Sequence, residues 1–396
     1  MQIIQVKTRS NARRFHDTLR KLYKDDPHFV CPLDDEIEGI FNPRNNVYFR
    51  DGDAARWILI DDKNSLIGRV AAFYNWKKAN KYDQPTGGMG FFECINNKEA
   101  AFLLFDTCRK WLEKAGLEAM DGPVNFGEND NYWGLHVEGF DNPSYGMYYH
   151  KPYYRELFES YGFQEYFEQV TNKIELSRAF PERFWKIADW VRQKPGFSFK
   201  HFSKAQADKF ITDLKDIYDQ AWVYHEHFTP INPEVVKKAF QRAKHILDEE
   251  FIWFAYHDDK PIAFLVMLPD ANQLLRYFNG RLTIFDKLRF LCLKRKKLFT
   301  RARITVMGVI PRFQRYGIES AIFWHMDKVM KNKPNYKEIE LAWVGDFNPR
   351  MQRLHSAVES SFSKKHITYR FLFKGGIIKK AAVISPDLRS GHNTEL

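Results

Sequence analysis

The chain predicts an α/β (α+β) fold of two similar halves in tandem, each a mixed central sheet flanked by helices. Three observations carry this. The length of 396 residues, at ~150 residues per domain, suggests two or three domains, and a hydrophobic content of 44% is that of a globular chain. An aromatic hairpin pattern occurs twice. Strand-like and helix-like periodicities then follow one another in the same order around both copies.

The hairpin is the clearest element. Trp57 to Ile60, a turn at Asp61-Asp62-Lys63 and a run from Leu66 to Phe73 read as strand, polar turn and strand. Trp253 to Tyr256, Asp258-Asp259-Lys260 and Ile262 to Leu268 read the same way, with Asp61 aligned on Asp258 at an offset of 197. That offset also carries the opening strand, Ile3 to Val6, onto Phe197 to Phe202. Each is followed by an apolar three-to-four spacing that predicts a helix, Asn11 to Tyr23 and Ala205 to Trp222. Further on, strand Phe91 to Ile95 and helix Glu99 to Lys114 correspond to strand Ile304 to Val309 and helix Ile318 to Met330. Ile95 now aligns with Val309 at an offset of 214, so the second half carries about 17 extra residues. Asn142-Pro143 and Asn348-Pro349 are each expected to open a helix, where a polar cap followed by proline is favoured. The joint falls near Arg178 to Pro195, which divides the chain into domains at 1-177 and 195-390.

Composition excludes several classes. The longest apolar run, Ile262 to Leu268, is far short of the ~20 residues a membrane-spanning helix needs. The opening MQIIQVKTRSNARRF has no apolar signal core. Four scattered cysteines without a CxxC pair argue against a disulfide scaffold or zinc finger and for a reducing cytoplasm. The net charge is +11, and its densest contribution is the insertion. From Lys287 to Arg303 there are eight Lys or Arg and no acid, interleaved with Leu288, Phe290, Leu291, Leu293, Leu298 and Phe299. Such a segment suits peripheral contact with a membrane or an acyl carrier protein, or it packs on its own domain with a solvated basic face. Nucleic acid is not expected as a partner, because no recognition motif accompanies these charges.

The string Val309-Ile310-Pro311-Arg312-Phe313-Gln314-Arg315-Tyr316-Gly317-Ile318-Glu319 resembles the cofactor turn of the GNAT acyltransferases. It has an apolar strand end, a proline two residues on, and Gln-x-x-Gly at a helix start. A turn of this kind aims backbone N–H groups and a helix dipole at an anion. The resemblance implies that the anion is the pyrophosphate of coenzyme A and that the donor is an acyl-CoA. Val309, Arg312, Gln314, Arg315, Gly317 and Ile318 would then be its contacts, joined by Asn348, which resembles the family's acyl-cofactor arm. Glu319 departs from the pattern, which has a small residue there. The first half has only Asn96-Asn97-Lys98 at the matching place, without glycine, and is expected to lack the cofactor loop.

A longer resemblance runs over nearly the whole chain. Gly68-Arg69-Val70-Ala71-Ala72, Gly90-Phe91-Phe92-Glu93-Cys94, Asp121 to Phe126, Val137 to Asp141 and Leu268 to Gln273 are similar to the tandem-GNAT YghO-type family, which bacterial ceramide synthases resemble. This implies an N-acyltransferase, with a long acyl chain and a sphingoid base or other lipid-like amine as one form of the reaction. The chain departs from the family's usual strings at Val223 to Phe228 and at Ser360 to Lys365.

N-acyl transfer needs an amine freed of its proton, an oxyanion donor and an acid for the leaving thiolate. The strand Arg303 to Val309 has no carboxylate, so candidates come from elsewhere. Glu93 lies in an apolar run where burial raises a pKa, and His150 and Tyr148 form an aromatic-polar cluster. Asn125 and Asn129, with Tyr153 and Trp343, are candidate acceptor contacts. Each has a plain alternative: a paired core carboxylate, a packed ring, a turn. His225-Glu226-His227 has no distant partner cluster, and no metal is expected. Two classes of function stay open at this point, an N-acyltransferase and a non-catalytic ligand- or partner-binding protein of the same fold.

Overall fold

The computed structural model describes residues 1–129, 131–223, 230–231 and 233–383. The first half contains strands β1 (Gln2–Gln5), β2 (Gly52–Ile60), β3 (Leu66–Asn75), β4 (Thr86–Cys94), β5 (Ala119–Gly122), β6 (Leu135–Glu138) and β7 (Gln164–Glu175). The second contains β8 (Phe197–His201), β9 (Ile252–His257), β10 (Lys260–Pro269), β11 (Arg301–Val309), β12 (Glu338–Glu340), β13 (Val344–Gly345) and β14 (Ser361–Leu372). The two aromatic hairpins pair as their alternation dictates, β2 with β3 and β9 with β10. Between β9 and β10 the chain reverses at Asp258 and Asp259, both with positive φ, as a two-residue turn matched to strand twist requires.

The halves do not keep separate sheets. One sheet runs β1-β2-β3-β4-β5-β14-β7-β12-β11-β10-β9-β8. The last strand of the second half, β14, lies against β5 of the first. The last strand of the first half, β7, lies against β12 and β13 of the second. Between them β7 and β14 pair antiparallel over most of their length, so each half's final strand closes the other's sheet.

Helices Lys98–Lys114 and Ile318–Lys331 follow β4 and β11 and bury their apolar faces in two separate cores. The first starts on an Asn97 cap whose side chain accepts from the Ala100 amide. The joint between halves is itself helical, Glu182–Arg192, and packs Phe184 and Val191 into the second core beside Phe323 and Ile318. Asn348 caps helix Pro349–Ala357 as expected. Asn142-Pro143 opens no helix. Its groups serve the contact between halves: the Pro143 carbonyl accepts from Asn272 at 2.9 Å and the Asn142 carbonyl from Arg301 at 3.0 Å.

Candidate active site

The repeat places two equivalent splits in the sheet. β4 is parallel to β5 only from Thr86 to Gly88, and β11 is parallel to β12 only from Arg301 to Arg303. Beyond those residues each strand runs on past its neighbour, next to a register shift against β3 or β10. Backbone groups released in this way must find other partners or face solvent.

In the first half tyrosines supply the partners. The Tyr148 hydroxyl accepts from the Phe91 amide at 3.1 Å, and the Tyr154 hydroxyl accepts from the Cys94 amide at 3.0 Å. The Tyr153 hydroxyl donates to the Cys94 carbonyl at 2.8 Å. Every residue of β4 is buried, and a Cβ at Gly90 would lie 1.8 Å from the Val124 carbonyl oxygen. The second split is open. Thr305 is exposed in mid-sheet, and Val306 and Met307 are half-buried.

β11 leads straight into the glycine turn. A single 3₁₀ turn, Pro311–Phe313, is followed by Arg315 and Gly317 with φ of 75° and 78°, and helix Ile318–Lys331 begins at the next residue. Its first-turn N–H groups have no intrahelical acceptor, and the helix dipole is positive at that end. A cavity of about 700 Å³ lies against the turn. Its walls are the joint helix (Arg183, Lys186, Ile187, Trp190), the turn itself (Arg315, Gly317, Glu319) and helix Pro349–Ala357 (Arg350, Arg353). The lining thus holds five cations and one carboxylate, with Lys186 also paired to Glu182 at 2.8 Å. Burial raises the Glu319 pKa, against the pull of its own amide and of Arg350 at 3.8 Å.

The structure sorts the cofactor candidates. Arg315 and Gly317 line the cavity. Gln314 clasps the turn, donating to the Val309 carbonyl at 2.8 Å and accepting from Arg350. Val309 and Ile318 belong to the core. Arg312 is exposed, and Asn348 spends its side-chain oxygen on the Met351 amide.

Glu93, Tyr148 and His150 do come together, but in the first core. Glu93 accepts from Tyr23 at 2.7 Å and Tyr154 at 2.9 Å, with Arg69 at 3.9 Å. Burial outweighs these partners and lifts its pKa to about 7. The His150 ring lies 4.8 Å from that of Tyr148, and its Nδ1 accepts from the His136 amide at 3.1 Å. Full burial holds the imidazole well below its ordinary pKa, which keeps it neutral. From β4 to β11 is five strand spacings, about 24 Å along the sheet. Direct proton transfer needs contact at about 3 Å. The first-half candidates and the second-half turn are thus separate constellations.

Among the acceptor candidates, Tyr153 is tied to β4 and Trp343 stacks with Phe167 at 6.4 Å. Asn125 is half-buried and Asn129 exposed on the first half, beside Glu128, which Lys78 binds at 2.9 Å. His225-Glu226-His227 lies outside the described residues. Among the described residues no group of three or more His, Cys, Asp or Glu is placed to hold a metal ion, and no helix is long and apolar enough to cross a membrane. Sequence reasoning missed the cavity wall on the joint helix. Its signal was present as Arg183, Lys186, Ile187 and Trp190 on one amphipathic helix.

A profile of the Acetyltransferase (GNAT) family matches residues 212–358, the stretch that contains β11, the turn and helix Ile318–Lys331. The fold matches that of a tandem GNAT protein from the clavulanic acid biosynthesis pathway, with a TM-score of 0.56 over 95% of this chain and 99% of that one, at 10% identity. Fold, duplicated split and glycine turn together define a tandem GNAT protein, an N-acyltransferase. Within that class the chain is similar over nearly its whole length to the YghO-type proteins. It is 24% identical over 357 residues to protein YghO of Escherichia coli (strain K12), covering 88% of this chain and 89% of the relative. It is 26% identical over 379 residues to a bacterial ceramide synthase of Caulobacter vibrioides, covering 93% and 97%.

Proposed function

We propose that the second half binds an acyl-CoA at its glycine turn and transfers the acyl group to an amine, with a long acyl chain and a lipid-like amine such as a sphingoid base as substrates. The observation that carries this is the asymmetry of the two splits: tyrosine hydroxyls close the first, while the second is open at Thr305 and ends at a five-cation cavity. Arg183, Lys186, Arg315, Arg350 and Arg353 supply the charge that phosphate oxygens need. Gly317 lets backbone and ligand approach, since a Cβ there would already lie 2.3 Å from Ile187. In the reaction the amine nitrogen attacks the thioester carbonyl, a C–N bond replaces the C–S bond, and the thiolate takes up a proton.

The first half, 1-177, serves in this reading as the scaffold whose strand β7 lines the second half's sheet, and 195-390 as the catalytic half. The relative named as a ceramide synthase supports the lipid-like acceptor, as does the basic apolar insertion at 287–303. The test is free-thiol release with acetyl- and long-chain acyl-CoA against a sphingoid base, polyamines and amino acids. Release only with long-chain donor and sphingoid base, giving an amide by mass, is the expected result. Release with short donors and small amines would discard the lipid, and silence without coenzyme A binding would discard the donor.

A further inference from the structure

The insertion folds as a helix, Ile284–Arg295, with no buried residue. Its N-terminus is closed by a capping box in which Asp286 accepts from the Thr283 amide and hydroxyl at 3.0 and 2.7 Å. The helix's single acid is therefore spent locally. Phe290 and Leu293 face inward and pack against the cluster around Phe278. The other face is apolar and bare: Ile284 is 70% exposed, Phe285 78%, Leu288 60% and Leu291 43%. Spacings of four and seven residues put Ile284, Leu288 and Leu291 on one stripe, with Phe285 at its edge. Scattered exposed apolar residues are ordinary, but a contiguous stripe marks a contact surface.

Cations frame that stripe on both flanks. At 100° per residue, Lys287 falls on one side and Arg289 and Lys296 on the other, with exposed Arg295 at the stripe's C-terminal end, while Lys294 turns inward to the His245 carbonyl. The helix is also held firmly. The segment before it is tied to the first half by Arg281 to Asp17 at 2.9 Å, Arg20 to the Asn279 carbonyl at 3.0 Å, and the Asp34 amide to the Gly280 carbonyl at 2.8 Å. With Phe290 and Leu293 packed inward, the outer stripe has no cover among the described residues.

We propose that helix Ile284–Arg295 is a docking surface for an anionic lipid bilayer, lying in the plane of the head groups with Ile284, Phe285, Leu288 and Leu291 dipping below them. An apolar centre with long cations on both flanks matches that boundary, because the stems extend along the apolar layer while the charges reach the phosphates. An acidic carrier protein would match the cations but set charge against the stripe, and a second copy would set cation against cation. The proposal goes beyond the acyl-transfer reading and does not depend on it, since vesicle binding is read without turnover.

Cys292 offers the probe. It lies on the bare face, and Cys31, Cys94 and Cys108 are buried. The full chain, labelled at Cys292 with an environment-sensitive fluorophore, is mixed with phosphatidylcholine vesicles with or without roughly 30% phosphatidylglycerol. The expected result is a blue shift and co-sedimentation with the anionic vesicles only, weakened by salt and reduced at least about tenfold in Phe285→Glu/Leu288→Glu. That variant should keep its thermal midpoint, because both residues face solvent. Absence of anionic-vesicle binding, or binding undiminished in the variant, overturns the proposal. So does a Phe285→Glu-sensitive dimer in sedimentation velocity, or variant-sensitive binding of purified acyl carrier protein, in a chain that leaves the vesicles unbound.

Discussion

The hydroxyl of Tyr148 takes the place of a missing strand for Phe91, accepting its amide at 3.1 Å inside the first split. Tyr148→Phe leaves that buried amide unpaired, which costs about 1–3 kcal/mol. We expect a lower thermal midpoint with turnover per folded molecule unchanged. A collapse of turnover at an unaltered midpoint would instead place Tyr148 in the chemistry.

Glu93 gives the fold a pH signature. Its pKa is raised from an ordinary 4.5 to about 7, so the folded state holds a proton that the unfolded state releases between those values. Stability from this group is fully present below pH 4.5 and is lost as pH rises towards 7. Glu93→Gln should remove that downward slope, read as the urea midpoint against pH in both proteins. An identical slope in the variant would refute the assignment.

Glu340 works in the opposite direction. Burial alone would raise its pKa, but Lys364 at 2.9 Å, with Arg303 and Arg301, brings it down to about 2. Its contribution is present above pH 4.5 and is lost as pH falls towards 2. Because both partners are buried, Glu340→Gln alone strands the Lys364 charge and should cost about 3–5 kcal/mol. Glu340→Met/Lys364→Met should recover much of that loss, as measured by chemical denaturation.

Glu319 is the lone carboxylate in the cationic cavity. Removing its charge in Glu319→Gln should tighten coenzyme A binding by roughly three- to tenfold, the scale of one anion at a helix start. Isothermal calorimetry checks the sign. Weaker binding would mean that Glu319 holds Arg350 in its working position.

Local pattern was legible where local residues decide the structure. The two hairpins, the Asn348 cap and the Gly317 turn all rest on neighbours a few positions away. Asn142-Pro143 has the same cap chemistry, yet Arg301 and Asn272 from the other half claim its carbonyls, and tertiary contacts override the cap. The exchange of β7 and β14 was hidden for the same reason. A strand's alternation states which face is buried and says nothing of which distant strand lies beside it. The tyrosines at 148, 153 and 154 were visible as a cluster, but their role depends on the backbone they meet across the split.

The interleaving of β5, β14 and β7 also sets a timetable for synthesis. Gly122 ends β5, and its partner begins at Ser361. At 5–20 residues per second a ribosome needs roughly 10 to 50 s to cover that interval. Throughout it the first half waits, its central ladder half-built, for a strand not yet made. The nascent chain thus completes its central ladder only once its last strand has been made.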